Sequence, residues 1–318
     1  MAFTGLILAN CQYRGEAMNS FHDPLSRREV LILGGSAVIT AATSHLAYAQ
    51  AKDTGPKKGE LNIAWYGQSM FQIVTPAGTR ILTDPMDIEA HRVPYVIGDL
   101  LLMTHYHPDH CTPVKIENIK EIKQYNALKR NGPGPANLEW TAQDEKFRDV
   151  RFQSMGTYHD DAGGSKRGKN GVWIMDIEPG IRVVHLGDLG HLLSRAQLKK
   201  LGKVDILMVP AGGVYTVNGI EAFEVFQQVK PTRYVIPMHY GTATYDELLP
   251  LKYFLDEAKE NETPIRTFKP KEWLTIDPKS ALPKQASVAY LSYLGPGGSE
   301  LPTRTPKKDD KESPKKDD

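Results

Sequence analysis

Short runs of apolar residues, separated by glycine-containing turns, predict β-strands in the first part of the chain. Residues 60–67, 69–75 and 79–85 are rich in β-branched and aromatic side chains, which favour strands. A further apolar run at residues 96–103 predicts a buried strand that ends at a histidine-rich loop. The early part of the chain is therefore predicted to be mainly β-structure.

Strands and helices alternate later in the chain. Residues 171–177 and 181–188 flank the turn Glu178-Pro179-Gly180 and are predicted to form a hairpin. In the rest of the chain, helices are predicted at residues 194–201, 219–229 and 246–260. Strands are predicted between and after them, at residues 205–210, 233–241 and 287–294. Hairpins early and alternation late predict an α/β domain with more than one sheet.

The two ends of the chain differ in composition from the middle. Residues 50–59 read as a polar linker, and residues 295–318 are rich in Pro, Lys and Asp. Such a tail cannot bury enough apolar surface to fold alone, so we expect it to be disordered. The folded domain is accordingly predicted to span residues 60–294.

Residues 1–49 resemble a twin-arginine export signal. The sequence SRREVL at 26–31 contains the arginine pair, and an uncharged stretch follows at 30–43. That stretch is too short for an ordinary membrane-spanning helix and suits the apolar region of a signal peptide. Ala47-Tyr48-Ala49 then offers a small-x-small cleavage site. We therefore expect a periplasmic or secreted protein, with an uncleaved anchor as the alternative.

Cleavage at that site would start the mature chain near Gln50, with no membrane span remaining. A translation start at Met18 would make residues 1–17 a start-site artefact. Cys11 and Cys111 are the two cysteines of the sequence, and Cys11 precedes the signal. The mature protein is therefore expected to have one cysteine and no internal disulfide, although an exported protein enters an oxidising compartment.

The overall charge and composition narrow the classes of partner. The chain has 39 basic and 38 acidic residues, a formal net charge of +1 and 40% hydrophobic residues. An ordinary soluble domain fits these values, and they indicate no basic surface for nucleic acid. We expect a small-molecule or lipid-like substrate, while the oligomeric state stays undetermined.

The candidate chemistry is concentrated in the loop THYHPDHC, residues 104–111. Histidine and aspartate are ligands for zinc and similar divalent ions. In an extended loop, residues two apart face the same way, so His105 and His107 could hold one ion. Pro108 would turn Asp109 and His110 towards a neighbouring position. Four ligands in six residues are too many for one catalytic ion with an open position, so we infer two ions.

Further ligand candidates lie at the ends of three later strands. His159 follows a strand that begins near Val150, Asp188 follows the apolar run VVHLG, and His239 follows VIPM. Three strand termini could bring these side chains to one edge of a sheet sandwich. The sequence therefore predicts a composite metal site rather than a single local motif.

The motif His105-x-His107-x-Asp109-His110, followed by His159, Asp188 and His239, resembles the signature of the metallo-β-lactamase superfamily. The resemblance covers residues 60–294, and the contexts WYGQSMF, HLGDLGH and PAGGVYT are similar to the branch containing L-ascorbate-6-phosphate lactonase. That branch includes relatives of the N-acylphosphatidylethanolamine-hydrolysing phospholipase D. The fold implied by this resemblance is a four-layer αβ/βα sandwich with its site at one edge of the two sheets.

The resemblance also implies a ligand set and a reaction. One ion would be held by His105, His107 and His159, the other by Asp109, His110 and His239, with Asp188 bridging the two. A hydroxide shared by both ions would attack an ester, lactone or phosphodiester. Asp109 and Asp188 are the residues we expect to be catalytic. Zn²⁺ is the expected metal, with Mn²⁺ or Fe²⁺ as alternatives.

Other residues are candidates for supporting roles. The resemblance implies that Asp84 hydrogen-bonds behind the ligands. Where many members of the branch have histidine, this chain has Gln68, which can hydrogen-bond but cannot transfer a proton near neutral pH. Four more residues are candidates either for contact with the substrate or for contact with the metal ligands: Lys166, Arg167, His191 and Tyr240. The Gly/Pro-rich stretch 131–144 is a candidate flap.

Two other functional classes stay open from the sequence. One is a mononuclear iron redox enzyme, because related sites bind iron. The other is a non-catalytic metal- or ligand-binding protein on the same scaffold, which the replacement at Gln68 favours. The potential bridge Asp188 and the pair Asp109-His110 favour a dinuclear hydrolase over both.

Overall fold

Two mixed β-sheets dominate the computed structural model, which describes residues 55–132 and 137–293. The predicted signal, the first half of the predicted linker and the predicted tail lie outside the described residues. The strands are β1 Leu61–Trp65, β2 Phe71–Val74, β3 Arg80–Thr83, β4 Leu100–Met103, β5 Lys123–Asn126, β6 Leu128–Arg130, β7 Leu138–Trp140, β8 Asp144–Phe147, β9 Val150–Tyr158, β10 Lys169–Ile177, β11 Ile181–His185, β12 Ile206–Pro210, β13 Tyr234–Met238, β14 Ile265–Thr267, β15 Leu274–Ile276 and β16 Ser287–Tyr290. The helices are α1 Pro108–Cys111, α2 Arg195–Leu201, α3 Gly219–Val229 and α4 Lys252–Glu260, with 3-10 turns at Glu89–His91 and Pro113–Lys115.

The sheets differ in size and share a similar plan. The first has the strand order β15-β1-β2-β3-β4-β5, and the second has the order β14-β16-β13-β12-β11-β10-β9-β8. In both sheets, antiparallel hairpins continue into parallel neighbours, such as β3–β4 and β11–β12. The parallel strands lie beside each other, so their carboxyl ends emerge at a common edge.

The core lies between the sheets. Alternation along β4 sends Leu100 and Leu102 into the large central cluster. On the opposite face of the first sheet, Leu82 and Ile122 pack against Gly98, where an added side-chain carbon would lie 2.7 Å from Leu82 and 2.6 Å from Ile122. The outer face of the second sheet is covered by helices, since α3 contacts β12, α2 and α4. The predicted α/β sandwich is confirmed.

Most predicted elements are present, including the early strands and the hairpin β10–β11. Helix α3 has the predicted bounds because Asn218 caps it, accepting hydrogen bonds from Ile220 N and Glu221 N. Helix α2 begins one residue after Ser194, which is its N-cap. No helix within the described ranges is long and apolar enough to cross a membrane.

The helix predicted from Asp246 begins later, at Lys252. Leu249 N donates to Gly212 O and Leu249 O accepts from Gly241 N, so this segment pairs with neighbouring loops instead. Pro250 also disfavours helical geometry at the residue before it. Tertiary hydrogen bonds therefore replace the first predicted turns of the helix.

The candidate flap is anchored in its described part. Residues 133–136 lie outside the described residues, but Leu138–Trp140 forms β7 and pairs with β6. The Trp140 indole N–H donates to Asn170 O at 2.8 Å, and the Lys169 ammonium lies over its ring. Residues 138–140 are thus a strand, not a free loop.

An ion-pair cluster connects the two sheets away from the histidine loop. Arg80 Nε and Nη2 donate to Asp99 at 2.9 and 3.1 Å, and Arg148 Nη1 lies 3.1 Å from the same carboxylate. Burial alone would raise the pKa of Asp99, but the hydrogen bonds and charge of Arg80, with the charge of Arg148, lower that pKa to about 2. The carboxylate therefore stabilises the folded state in its ionised form.

We expect Asp99→Asn to lower the free energy of unfolding at pH 7 by about 1 kcal/mol, a value discounted for solvent screening. The pKa of Asp99 is lower in the folded state than its unfolded value of about 3.9. The extra stability of the wild type is therefore fully present above pH ~3.9 and is lost as the pH falls towards about 2. Urea unfolding of the wild type and the variant across this pH range measures the difference in the free energy of unfolding. Asp144→Asn, at an exposed ion pair with Arg151, is the control. A wild-type advantage that stays constant down to pH 2 would contradict the assignment.

Candidate metal centre

The predicted ligands emerge from strand ends at one edge of the sandwich. His105 and His107 follow β4, and Asp109 and His110 lie in the one-turn helix α1, whose N-cap is His107. The remaining three candidates, His159, Asp188 and His239, follow β9, β11 and β13. Pro108 at the first helical position turns the chain after the extended pair, as the sequence predicts.

The structure brings all seven side chains together in two groups. His105, His107 and His159 form one group, and Asp109, His110, Asp188 and His239 form the other, with ligand atoms in each group within 4.8 Å of one another. These groups match the two sets of the sequence prediction, except that Asp188 is counted with the second.

Asp188 lies between the groups. Its Oδ2 is 3.0 Å from His159 Nε2 and 3.9 Å from His105 Nε2 on one side. On the other side it is 3.1 Å from His110 Nε2 and 3.3 Å from His239 Nε2. One carboxylate oxygen therefore faces nitrogen atoms of both groups.

The spacing fits shared cations better than hydrogen bonds. His110 Nε2 and His159 Nε2 are buried and make no hydrogen bond with any described atom, although carboxylate oxygens lie about 3 Å away. Ligands about 2.0–2.2 Å from a tetrahedral ion lie roughly 3.3 Å from each other. Nitrogen and oxygen donors that converge at this spacing without hydrogen-bond alignment are suited to divalent metal ions.

Hydrogen bonds on the far side of the rings orient several ligands. Asp84 is fully buried and accepts from Thr104 N and Thr104 Oγ1, both at 2.7 Å, and its Oδ2 lies 2.9 Å from His110 Nδ1. Thr104 Oγ1 is also 2.9 Å from His105 Nδ1. His159 Nδ1 lies 3.0 Å from Tyr215 O. Such contacts fix the ring orientation and tautomer of a metal ligand.

Two buried polar residues near Asp188 were missed by the sequence reasoning. Ser69 Oγ lies 3.4 Å from Asp188 Oδ1. Asn170 Oδ1 accepts from Asp188 N at 3.0 Å, while its amide donates to Leu186 O and Thr157 Oγ1. Both come from strands or turns far from Asp188 in sequence, and no local pattern identifies them.

The carboxylates and imidazoles of the site strongly shift one another's pKa values. Burial alone would raise the pKa of Asp188, but the charges of His110 and His239 hold it well below its usual range. Burial alone would lower the pKa of His110, but Asp188, Asp109 and Asp84 raise it well above its usual range. Asp188 and His110 therefore favour each other's charged form, whereas burial lowers the pKa values of His105 and His107. Protons and metal ions compete for the same donors.

Glycines allow the ligand-bearing loops to approach closely. A side-chain carbon at Gly190 would lie 2.3 Å from Asp160 N and 2.4 Å from His159 C. One at Gly212 would lie 2.2 Å from His239 O. Backbone strain accompanies this packing, since Asp84 and His239 have φ values of 37° and 49°.

The other predicted contact residues have mixed positions. Lys166 and Arg167 belong to a loop whose backbone N–H groups donate to Asp160, and Arg167 also lies over the Tyr215 ring. His191 Nε2 accepts from Tyr158 N at 3.2 Å. Tyr240 is 4% exposed and packs 5.0 Å from Trp65 within the core, so it is not at an accessible surface.

Gln68 lies in the same buried corner as His91. Gln68 has a left-handed φ of 44°, its carbonyl accepts from His239 N at 3.1 Å, and its side chain is 1% exposed. His91 is also 1% exposed, and burial, with a smaller effect of His239, lowers its pKa to about 4. His185, by contrast, is a satisfied core residue between Ser69 O and Gly187 N.

Comparison with known proteins identifies the class to which this fold and site belong. Residues 62–239 match the model of the Beta-lactamase superfamily domain. The chain therefore belongs to the metallo-β-lactamase superfamily, as the motif predicts.

Relatives and a solved structure support this membership. A UPF0173 protein of Pyrococcus furiosus is 32% identical over 201 residues, which cover 61% of this chain and 89% of that protein. A UPF0173 metal-dependent hydrolase of Polaromonas sp. is 26% identical, over 74% of this chain and 95% of that protein. A crystal structure from Thermotoga maritima, described as a Zn-dependent hydrolase of the superfamily, has a TM-score of 0.52 and 28% identity, covering 73% of this chain and 98% of that one. The protein is a metal-dependent hydrolase.

Gly190→Ala should displace His159, because the added carbon meets the backbone on both sides of the His159–Asp160 peptide. We expect a stability loss of about 1–3 kcal/mol, typical of overpacking, and reduced metal content. Thermal unfolding and elemental analysis measure the two effects. Gly78→Ala is the control, because Gly78 has a φ of 94° but nothing within 4 Å, so stability should fall without metal loss. Full metal content in Gly190→Ala would contradict the role of this close approach.

Proposed function

We propose that the protein is an exported dinuclear hydrolase that cleaves an ester, lactone or phosphodiester bond. The position of Asp188 Oδ2, within 3.0–3.9 Å of nitrogen atoms from both ligand groups, is the observation that carries the proposal. A single-ion site has no need of a carboxylate placed between two such groups. This arrangement favours hydrolysis over the mononuclear redox alternative.

Each residue would have a distinct role in this site. His105, His107 and His159 would hold one ion, and Asp109, His110 and His239 the other, with Asp188 contacting both. Two bound divalent cations would supply Lewis acidity, which lowers the pKa of a coordinated water and polarises a carbonyl or phosphoryl oxygen. Imidazole and carboxylate ligands suit Zn²⁺, and the same donors accept Mn²⁺ or Fe²⁺.

Substrate would approach from the side of His107 and Asp109. His107 is exposed and Asp109 is partly exposed, whereas the other five ligand candidates are buried. Tyr215 and Val214 are 44% and 48% exposed, and Tyr215 O contacts His159 Nδ1, so this apolar rim borders the site. An apolar rim of this kind fits a small organic or lipid-like substrate.

Asp188→Asn should reduce bound metal from two equivalents per chain and abolish hydrolysis, because the amide removes the negative charge that faces both groups. The wild-type protein and the variant are compared by elemental analysis and with a panel of lactones, phosphodiesters and phospholipids. His107→Ala should also lose activity. Asp144→Asn, at an exposed ion pair, should keep both metal and activity.

Two results would overturn the dinuclear hydrolase. One is a wild-type content of a single iron with no second metal, which would favour the redox enzyme. The other is full metal content without activity on any substrate of the panel, which would favour a binding protein. Unchanged hydrolysis in Asp188→Asn would remove the proposed role of this carboxylate.

Export is the part of the proposal carried by the N-terminal sequence. In a bacterium with a twin-arginine pathway, the full chain should be recovered from the periplasm with a mature end near Gln50. Replacing both Arg27 and Arg28 by lysine should retain it in the cytoplasm, because the pathway recognises the arginine pair. Cell fractionation and N-terminal sequencing measure this. Equal periplasmic recovery of the lysine variant would argue against twin-arginine export.

A further inference from the structure

Five buried polar atoms on three neighbouring residues have no hydrogen-bond partner among the described residues. They are Oε1 and Nε2 of Gln68, both ring nitrogens of His91, and Nδ1 of His239. The three residues are 1%, 1% and 2% exposed. Buried polar groups in folded proteins are nearly always paired with protein or water, so a cluster of this kind indicates a binding site.

The three residues are neighbours. Gln68 O accepts from His239 N at 3.1 Å, which places the two backbones side by side. A side-chain carbon at Gly67 would lie 2.6 Å from His91 Nδ1, so the His91 ring packs against the residue before Gln68.

His239 differs from three of the other predicted histidine ligands. An oxygen atom lies within 3.0 Å of Nδ1 in each of these: from Thr104 at His105, from Asp84 at His110 and from Tyr215 at His159. His239 directs Nε2 towards Asp188 and Asp109, at 3.3 and 3.4 Å, so its Nδ1 is the nitrogen on the far side. That nitrogen needs a partner if the ring is to be held as the others are.

The chemistry of the cluster selects a small neutral ligand. An amide supplies both a donor and an acceptor, and so does a neutral imidazole. The rings packed against His91 are those of Tyr245 and Tyr293, at 5.7 and 5.6 Å, and none of the described residues forms an ion pair with His91. A water molecule makes two to four hydrogen bonds and fits a small polar site of mixed donors and acceptors.

We propose that Gln68 and His91 bind a buried water that hydrogen-bonds His239 Nδ1 and thereby positions this ligand. Gln68 and His91 are then positioning residues, which act on the metal centre through His239. The inference rests on the proposed role of His239 as a metal ligand. It gives a function to Gln68, where the sequence departs from the histidine of its branch, and to His91, a buried histidine outside the predicted ligand set.

Metal release tests the inference without measuring activity. The metal-loaded wild type and the variants Gln68→Met and His91→Phe, which keep shape but remove the polar atoms, are mixed with an excess of chelator. We expect each variant to release one of the two metal equivalents about 10–100-fold faster, because loss of a group behind a ligand weakens metal affinity by this factor. His91→Gln, which keeps a donor and an acceptor, should recover part of the slow release.

A control separates positioning from a general loss of stability. Thr79→Val removes a buried hydroxyl that bonds Asp149, far from this cluster in the fold, and should lower the thermal midpoint without changing metal release. Histidine-selective ¹⁵N NMR of the metal-loaded protein adds an independent signal. The Nδ1 proton of His239 should exchange slowly in the wild type and faster in both apolar variants.

The outcomes are distinguishable. If the wild type holds two metals, but both apolar variants release them at the wild-type rate and become more stable, the polar atoms are merely unsatisfied and this inference is wrong. The proposed function would then stand. If the wild type binds no second metal, the proposed function fails, and the positioning role of Gln68 and His91 fails with it.

Discussion

The structure depends on holding one buried carboxylate, that of Asp188, among four imidazoles. Isolated burial of a carboxylate is strongly unfavourable, and so is the burial of several imidazoles in their charged forms. The facing groups compensate each other: His110 and His239 lower the pKa of Asp188, while Asp188, Asp109 and Asp84 raise that of His110. Cations at the same position would satisfy these donors together, which links folding of the sheet edge to metal binding.

This arrangement imposes conditions on the backbone around it. Gly190 and Gly212 are required where neighbouring loops pass within contact distance of His159 and His239. Asp84, His239 and Gln68 all have left-handed φ values, although none is glycine. Strain of this kind is maintained only where the surrounding structure determines it, and here the two sheets supply that rigidity. The ion pairs of Asp99 with Arg80 and Arg148 help to connect those sheets.

The groups behind the ligands divide the site into two parts. Asp84 and Thr104 orient His105 and His110 through direct hydrogen bonds, and the Tyr215 carbonyl lies against His159. In our proposal, Gln68 and His91 orient His239 indirectly, through a bound water molecule. In that proposal His239 is oriented less directly than His105, His110 and His159.

The sequence by itself determined the class of fold and the ligand candidates. Alternation and turn residues define the strands, and the HxHxDH loop directly after a buried strand is a local signal for metal binding. His159, Asp188 and His239 could also be identified, because each follows a predicted strand. Local patterns were insufficient for the segment 246–251, where hydrogen bonds to Gly212 and Gly241 override helix formation.

Only the tertiary structure decided which atoms meet. Ser69 and Asn170 carry no local signature, yet they contact Asp188 from 119 and 18 residues away, and Thr104 contacts Asp84 from 20 residues away. The structure also placed Tyr240 in the core, brought His91 beside Gln68, and showed that Lys166 and Arg167 belong to a loop organised by Asp160. The physical reason is that strand periodicity specifies which face a side chain occupies, whereas partners at a sheet edge are set by strand order and loop packing.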